Sequence, residues 1–281
     1  MLDHILDRIG YTGSVAVDVP TLQALHRAWR TTVPYENLDI QLGRPIRLDC
    51  ASLLDKLIHR RRGGYCYEQN GGLELLLRAT GFDVTMVEGA VQRADQGDSM
   101  WGNHNALLVI VEGQRWLADA GIGDGFLEPL PLQPGFHHQD GHAYQLEQLG
   151  PATWRMHHHE GGSIQSYDFD TAPRKLSDFR ARSHRLSTAP DSTYVTTLVV
   201  GRTTTDGSTS LLLSRTIRTL TTGGTTRAVH TLNSINEFAD TLRDKFLVPI
   251  DDLGSAAIKQ LWQSSGRQDA LWRARVENAS T

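Results

Sequence analysis

Residues 61–68 read RRGGYCYE, and this stretch decides how the rest of the chain is interpreted. Cys66 follows a diglycine at the predicted start of a helix, where backbone N–H groups lack partners and the helix dipole is positive. Both effects favour the thiolate, the nucleophilic form of cysteine, and the glycines let a substrate approach the sulfur. Cys66 is therefore a candidate nucleophile, although unpaired cysteines are equally typical of buried packing positions. Cys50 lacks this context, and for it we expect a structural role.

A histidine and an aspartate stand where they can serve this nucleophile. His104 precedes the apolar run 106–111, and Asp119 ends the next predicted strand. Glu112-Gly113 predicts a hairpin turn between these strands, which would place His104 and Asp119 at one edge as cross-strand neighbours. Taken singly, each is more typical of an ordinary loop histidine or turn aspartate. Because a nucleophilic cysteine needs a base and the base an orienting acceptor, the combination predicts a Cys66–His104–Asp119 triad.

Hydrophobic spacing divides the chain into three regions. Residues 1–81 follow helical periodicity and predict a bundle, which includes a helix over 52–61 and another that begins near Cys66. Residues 82–190 contain short apolar and alternating runs that predict an antiparallel β-barrel followed by a basic connecting helix. Residues 191–281 return to strands and end in helices. The strands and the last helix are expected there at 194–200, 210–217, 225–231 and 256–263.

Composition excludes several classes of protein. The 281 residues carry a net charge of −4, which argues against general nucleic-acid binding because that needs a basic face. No apolar run approaches the roughly 20 residues of a membrane-spanning helix, and the N-terminus lacks the features of a signal peptide. Two cysteines cannot form a disulfide framework and fit a reducing compartment. We expect a cytoplasmic protein that binds neither nucleic acid nor membrane, with its oligomeric state left open.

Four motifs together resemble the arylamine N-acetyltransferase family. They occur in the family's order and cover about residues 30–130: PYENLDI (34–40), RGGYCYE (62–68), HNALLV (104–109) and WLADAGIG (116–123). The resemblance implies an α+β fold in which residues 1–81 form an N-terminal helical bundle, 82–190 a central antiparallel β-barrel and 191–281 a C-terminal α/β lid. It also implies a cysteine-protease-like triad, carried here by Cys66, His104 and Asp119.

The resemblance predicts a ping-pong acyltransferase. Acetyl-coenzyme A, as a co-substrate, would acylate Cys66, and an arylamine, arylhydrazine or arylhydroxylamine would then accept the acetyl group. A related amide synthase, which takes an acyl chain from a carrier protein in polyketide biosynthesis, would use the same triad. A thiol hydrolase and a non-catalytic binding protein are further alternatives. The identity of the donor and the reactivity of the thiol distinguish these hypotheses.

Three residues are expected to support the triad. Glu36 and Arg62 would form a charge-assisted pair that fixes the loop carrying Cys66, whereas two solvated charges would contribute little. Asn70 lies one helical turn after Cys66 and either hydrogen-bonds near Asp119, as the resemblance suggests, or is an exposed helix residue.

The resemblance places Asn103, Gly121, Ile122 and Gly123 at the donor site. The run GIGDG, residues 121–125, superficially resembles a dinucleotide fingerprint, but the prolines that follow it block the helix such a motif needs. Exposed backbone amides suit anionic groups, so the loop is expected to hold the pantetheine and phosphates of the donor, or else to be a plain turn. Three residues depart from the family's pattern. Gln69 stands where the family usually has an apolar residue, Asn103 where it commonly has a small hydroxyl residue, and Ile122 where it frequently has phenylalanine.

Histidines concentrate in the middle of the chain, at His137-His138, His142 and residues 157–159. Neighbouring residues of a strand face opposite sides, so a run cannot supply a tetrahedral site by itself, and no second thiolate is near. We therefore expect these histidines in surface loops and at strand ends, and we predict no metal.

Overall fold

The first two helices begin and end where the sequence supplies caps. The computed structural model describes residues 1–221 and 226–279. Helix α1 (Leu2–Ile9) ends at Gly10, whose left-handed φ of 67° suits glycine. Helix α2 (Val19–Thr32) begins after Asp18, whose side chain accepts a hydrogen bond from the Thr21 N–H at 2.8 Å.

The helix that carries Cys66 requires glycine in front of it. After β1 (Tyr35–Glu36), α3 (Leu38–Gln41) and α4 (Cys50–Leu54), the chain passes through Gly63-Gly64 into α5 (Cys66–Ala79). A Cβ at Gly63 would lie 1.8 Å from the Pro34 carbonyl oxygen, and one at Gly64 would lie 2.4 Å from Glu68 Oε2. Because any side chain would clash, the diglycine allows these neighbours to close around the start of α5.

The helix predicted over residues 52–61 is found over residues 50–59, but its second half is not a regular α-helix. Helix α4 ends at Leu54, and Asp55–His59 form a wider π-helical turn. This turn contains buried Lys56, whose Nζ lies 2.8 Å from Glu68 Oε1 and 3.0 Å from Asp39 Oδ2. These ion pairs join distant parts of the chain, and local spacing carries no information about them.

The central region is a curved antiparallel sheet, with eight strands among the described residues. They are β2 (Asp83–Val91), β3 (His104–Val111), β4 (Gln114–Ala118), β5 (Leu130–Pro131), β6 (Gly135–Gln139), β7 (His142–Gln148), β8 (Thr153–His157) and β9 (Ser166–Arg174). The order across the sheet is β5-β4-β3-β2-β9-β8-β7-β6. Near the two edges, the Glu128 N–H donates to Gln139 Oε1 at 3.0 Å and Gln139 Nε2 donates to the Glu128 carbonyl at 2.7 Å. These bonds nearly close the sheet, and the predicted β-barrel is confirmed.

Strand β3 is buried on both faces, which explains its uninterrupted apolar sequence. Leu107 and Val109 pack against the helices, in a core that also contains Trp29 of α2. Ala106 and Leu108 face the barrel interior. Between β2 and β3 lie α6 (Arg93–Gln96) and a 3₁₀ turn (Asp98–Met100). The helical region therefore packs directly against β3, the strand that begins at His104.

The remaining residues form a second antiparallel sheet and the helices that cover it. After the predicted connecting helix, found as a 3₁₀ turn (Leu176–Phe179) and α7 (Arg180–Thr188), come α8 (Thr193–Thr196), β10 (Val199–Thr203), β11 (Thr209–Leu213), β12 (Thr216–Leu220), β13 (Thr226–Thr231), α9 (Ile235–Asp240), a π-helical turn (Thr241–Lys245), α10 (Ile250–Leu253) and α11 (Ser255–Ala279). The sheet order is β1-β10-β11-β12-β13. Strand β1, from the N-terminal region, thus pairs with β10 and joins two parts of the chain.

Two strand predictions in this part are wrong. Residues 194–200 begin as helix α8, where the Ser192 side chain accepts a hydrogen bond from the Tyr194 N–H at 3.3 Å. Residues 210–217 are not one strand but parts of β11 and β12, because the chain turns sharply at Ser214, whose φ is 55°. No glycine marks this turn, so the apolar pattern runs through it. Thr225, the predicted start of the next strand, lies outside the described residues.

The final helix is longer than the predicted 256–263. Its continuation is polar, but Gln268 Oε1 accepts a hydrogen bond from the Leu198 N–H at 2.9 Å and one from Ser214 Oγ at 3.1 Å. These contacts hold α11 against the sheet where its sequence lacks an apolar stripe. Throughout residues 1–221 and 226–279, the helices fall short of the length or the apolar character that crossing a bilayer requires.

Candidate active site

Cys66 is the first residue of α5, and only 1% of its surface is exposed. Burial raises the pKa of the Cys66 thiol, and the Asp119 carboxylate acts in the same direction. The Tyr67 N–H and the Tyr194 hydroxyl donate hydrogen bonds to Sγ and oppose this rise, because they stabilise the thiolate. A thiolate in this environment therefore needs a neighbouring cation.

His104 and Asp119 are in contact at the edge of the barrel. His104 Nε2 lies 2.8 Å from Asp119 Oδ2, and each residue is 1% exposed. His104 begins β3, and Asp119 directly follows β4, so the antiparallel pairing of these strands brings the two side chains together. Gly89 of β2 lies opposite His104, and a Cβ there would be 3.0 Å from the imidazole Cδ2. Glycine thus leaves room for the ring.

Gly121 lies against Cys66, His104 and Asn70. A Cβ at Gly121 would lie 3.0 Å from Cys66 Cα, 2.9 Å from His104 Cε1 and 2.7 Å from Asn70 Nδ2. The backbone therefore approaches all three residues more closely than any side chain would permit. The structure brings the three predicted triad residues and Asn70 together around this glycine.

Asp119 is held as an anion. Burial alone would raise the pKa of its carboxyl group, but the attraction of His104 and hydrogen bonds outweigh that effect and lower the pKa to about 2. Asn70 Nδ2 donates to Oδ1 at 2.8 Å, and the Gly121 N–H donates to the same oxygen at 2.7 Å. Asn70 is completely buried rather than an exposed helix residue. The carboxylate can therefore orient His104 and offset a positive charge on the ring.

Glu36 and Arg62 form a fully buried ion pair beside the loop that precedes Cys66. Arg62 Nη2 lies 2.7 Å from Glu36 Oε1, and Arg62 Nη1 lies 3.1 Å from Asp252 Oδ2. Burial lowers the pKa of the guanidinium, but these carboxylates raise it above its usual value. Because Asp252 belongs to α10, Arg62 connects the loop before α5 to the C-terminal helices.

A cavity of about 680 Å³ opens beside the triad. His104 and Gly121 line one wall, and Tyr35 and Tyr194 line another. Three arginines, Arg182, Arg185 and Arg218, also line the cavity. The space thus combines a nucleophilic corner, aromatic side chains and cationic groups.

Comparison with known proteins assigns the chain to a family. The family model described as N-acetyltransferase matches residues 18–253. The arylamine N-acetyltransferase of Mycolicibacterium smegmatis is 34% identical over 265 residues, which cover 92% of this chain and 95% of that protein. The chain belongs to the arylamine N-acetyltransferase family. An Escherichia coli member is 38% identical over 181 residues, or 64% of each protein. The structure of the Mycobacterium marinum enzyme in complex with CoA superposes with a TM-score of 0.84 at 30% identity and covers 94% of this chain and 98% of that one.

Membership of this family confirms the predicted enzyme class, an acetyltransferase, and the predicted α+β architecture. The residues predicted for the donor site lie along the cavity, but the Asn103 side chain and the Gly121 N–H already have hydrogen-bond partners within the protein. Asn103 Nδ2 and Oδ1 bond to the carbonyl and N–H of Val91 at 3.1 and 2.8 Å. The Gly121 N–H is directed to Asp119. Ile122 and Gly123 line the cavity, where Gly123 packs near Tyr35.

Arg30 is a residue of this family member's site that sequence reasoning missed. Its guanidinium is buried and donates to the carbonyls of Ala120, Ile122, Gly123 and Gly125 at 3.2, 2.6, 3.3 and 3.1 Å. It therefore holds the loop that contains Gly121. The signal was available: Leu22, His26 and Arg30 recur at four-residue spacing, which places Arg30 on the buried face of α2.

His26 and Tyr194 were also missed. His26 Nε2 accepts a hydrogen bond from the Asp119 N–H at 3.1 Å, so its Nδ1–H donates to the Leu127 carbonyl at 2.7 Å. Tyr194 bonds to Cys66 from helix α8, and its hydroxyl oxygen accepts from Tyr35 at 3.1 Å. A local pattern gives no sign of this contact, because Tyr194 comes from a distant part of the chain.

The surface location expected for all the histidines is wrong for three of them. His142, His158 and His159 are buried, whereas His138 is exposed and His137 and His157 are half-buried. Strand β8 ends at His157, so the alternation of a strand no longer separates His158 from His159. Both rings turn towards Asp124, and the three residues present one carboxylate oxygen and two imidazole nitrogens within 4.8 Å of one another.

Proposed function

We propose that this chain transfers an acetyl group from acetyl-coenzyme A, through a Cys66 thioester, to the nitrogen of an arylamine, arylhydrazine or arylhydroxylamine. The observation that carries the proposal is the meeting of Cys66 and His104 around Gly121, with Asp119 bonded to the imidazole. This arrangement supplies a nucleophile, a proton carrier and an orienting anion.

The resting enzyme would hold Cys66 and His104 as a thiolate–imidazolium pair. His104 uses Nε2 for Asp119, which leaves Nδ1 to exchange a proton with Sγ. Since burial and Asp119 both oppose a lone thiolate, the charge on His104 is what makes the thiolate accessible. Asp119 in turn stabilises the imidazolium.

The reaction would then proceed in two half-reactions, acylation of Cys66 and transfer of the acetyl group to the amine. The Cys66 thiolate bonds to the acetyl carbon, the bond from that carbon to coenzyme A sulfur breaks, and the leaving thiolate takes the proton from His104. The amine nitrogen next bonds to the acetyl carbon, the thioester breaks, and the amine proton passes to His104, which restores the ion pair. A backbone N–H of Cys66 or its neighbours would stabilise the intermediate oxyanion.

The cavity supports this choice of substrates. Arg182, Arg185 and Arg218 supply cations for the phosphates of coenzyme A, and the related M. marinum enzyme is known in complex with CoA. Tyr35, Tyr194 and Ile122 offer aromatic and apolar surface suited to an arylamine ring. Members of the family are named for arylamine acetylation.

Intact-mass measurement after brief incubation with acetyl-coenzyme A, without amine, tests the proposal. We expect one acetyl group on the parent protein and on Cys50→Ser, and none on Cys66→Ser. Cys50 is exposed and provides the matched control. Addition of an arylamine or hydrazine should remove the adduct and yield the acetylated amine.

Other outcomes separate the alternatives. An adduct that persists in Cys66→Ser, or none on a correctly folded parent protein, would contradict the proposal. A parent protein without an adduct whose Cys66 still alkylates rapidly at acidic pH would indicate a different acyl donor, such as a carrier-bound chain. Release of acetate without added amine would indicate a hydrolase.

A further inference from the structure

We propose that Asp124, His158 and His159 form a Zn²⁺ site that joins the 121–125 loop to the connection between β8 and β9. Their potential ligand atoms, one carboxylate oxygen and two imidazole nitrogens, lie within 4.8 Å of one another, and all three residues are buried. The mixed nitrogen and oxygen set matches the ligands that Zn²⁺ takes in proteins. Metal binding here does not depend on the proposed acetyl transfer.

An unsatisfied buried nitrogen points to a ligand. The His158 side chain is completely buried, and its Nε2 has no hydrogen-bond partner among the described residues. This atom lies 3.5 Å from Asp124 Oδ1. Buried polar atoms are nearly always paired, and leaving one unpaired costs stability. A cation between the imidazole and the carboxylate would give this nitrogen a partner.

The neighbouring groups orient the other two ligands. The Ser163 N–H donates to Asp124 Oδ2 at 2.6 Å, and the Ser163 hydroxyl lies 2.5 Å from Oδ1. His159 Nδ1 lies 2.9 Å from the Glu160 carbonyl and donates to it, which leaves Nε2 as the ligand atom. Hydrogen bonds of this kind, from a ligand's far side to a fixed partner, are typical of metal sites.

Charge and surroundings set the coordination. Two neutral imidazoles and one carboxylate offset part of the metal charge, while the buried Arg30 guanidinium on the other side of the loop opposes it. The His142 ring centroid lies 4.1 Å from that of His159, so a further imidazole adjoins the site. Zn²⁺ readily accepts three protein ligands with a fourth position taken by water or another side chain.

The site has a structural consequence for the cavity. Residues 121–123 line it on one side, and Gly161, Gly162 and Ser163 line it on another. Asp124 directly follows the first segment, and His159 directly precedes the loop that contains the second. A metal ion held by both would fix two walls of the cavity relative to each other.

Zinc titration of the Cys66→Ser protein tests the proposal, because this variant lacks the thiolate that would otherwise compete for zinc. We expect one equivalent of Zn²⁺ to bind by calorimetry. The unfolding temperature should rise by roughly 5 °C at a zinc concentration about 100 times the Kd. Substitution of Co²⁺ should give the visible absorption of a low-coordinate nitrogen and oxygen site.

Ligand variants in the same background identify the site. Asp124→Asn and His158→Gln should weaken zinc binding by roughly tenfold or more and abolish the rise in unfolding temperature. His157→Gln is the matched control, because His157 is the adjacent histidine but pairs with Glu147 at 2.8 Å, and it should bind as the parent does. Asp124→Asn is nearly isosteric, so it remains informative where His158→Gln fails to fold. Equal zinc binding in Asp124→Asn and parent, or no binding by the parent, would overturn the proposal.

Discussion

At the scale of single residues, a chain of hydroxyl groups reaches the nucleophile from outside its own helix. The Tyr35 hydroxyl donates to Tyr194 Oη at 3.1 Å, and the Tyr194 hydroxyl donates to Cys66 Sγ. Burial raises the pKa of the Cys66 thiol, so each donor to the thiolate matters more than it would in water. The C-terminal half of the chain therefore contributes to the reactivity of a cysteine in the N-terminal region.

Tyr194→Phe should make Cys66 less reactive without removing any triad residue. A hydrogen bond to a charged group contributes about 1.5–3 kcal/mol, so the rate of Cys66 alkylation by iodoacetamide at mildly acidic pH should fall roughly tenfold. Cys50 in the same molecule is exposed and serves as an internal control, with an unchanged rate. An unaltered Cys66 rate in a folded variant would show that the Tyr194 hydroxyl does not stabilise the thiolate.

The local sequence contains enough information to nominate Cys66, His104 and Asp119, but not their partners. The diglycine marks the start of α5, and the hairpin brings His104 beside Asp119, so both signals are short-range. Arg30 lies on a helix face that reads as apolar, and its carbonyl partners lie far along the chain. Helical spacing indicates that Arg30 is buried, but its role in holding the loop becomes visible only when the tertiary contacts are known.

At the scale of elements, helix α2 positions the loop at residues 121–125. Arg30 donates to three of its carbonyl groups and to that of Ala120 just before it, and His26 accepts from the Asp119 N–H. The loop itself has no regular hydrogen bonding to hold Gly121 against Cys66 and His104. Its position therefore depends on a helix whose own sequence pattern carries no catalytic signal.

Arg30→Lys should slow acetylation of Cys66 although it keeps the positive charge, because a single ammonium cannot span four carbonyls. We expect the free energy of unfolding to fall by about 2 kcal/mol and the acetylation rate at saturating acetyl-coenzyme A to fall roughly tenfold or more. Arg27→Lys, on the same helix but half-buried and paired with Glu128 and Asp140, should change each much less. A stability loss with an unchanged acetylation rate would show that Arg30 does not position the site.

Element boundaries were predictable where caps or turns are local. Asp18 and Gly10 delimit the first helices with local signals, whereas the turn at Ser214 lacks a glycine, so the sequence predicts a continuous strand there. Helix α11 extends past its predicted end although its sequence there is not amphipathic. Gln268 holds this part of the helix, because its Oε1 accepts hydrogen bonds from Leu198, just before β10, and from Ser214, just after β11. Long-range contacts thus account for the misplaced boundaries.

At the scale of the whole molecule, buried charged groups join the N-terminal helical region to the C-terminal helices. Arg62 contacts Glu36 in β1 and Asp252 in α10, and Lys56 contacts Asp39 and Glu68. Hydrophobic spacing predicts the order of the three regions along the chain, but it gives no information on how these regions pack against one another. Such buried pairs specify that packing, and removing one partner would leave the other unpaired.

Buried neutral histidines make the stability of the whole molecule depend on pH. Burial, with a contribution from Arg30, lowers the pKa of His26 from 6.5 to about 4, although Leu127 and Asp119 oppose the change. Burial likewise lowers the pKa of His158 to about 4, with Arg30 and His159 in the same direction and Asp124 opposed. Between pH 6.5 and about pH 4, these histidines bind protons in the unfolded chain but not in the folded chain, so acid favours unfolding.

The free energy of unfolding should therefore fall as pH is lowered from about 6.5 to about 4, by about 3 kcal/mol for His26 alone. The loss should continue from about pH 4 to about pH 2, because the Asp119 carboxyl group binds a proton there in the unfolded chain, whereas its pKa of about 2 keeps it ionised in the folded chain. Urea unfolding at a series of pH values measures the slope of the free energy of unfolding against pH. A chelator in the buffer keeps metal from His158. His26→Gln cannot titrate there and keeps an acceptor for the Asp119 N–H, so its slope should be shallower. An equal slope in parent and variant would show that His26 is not held neutral.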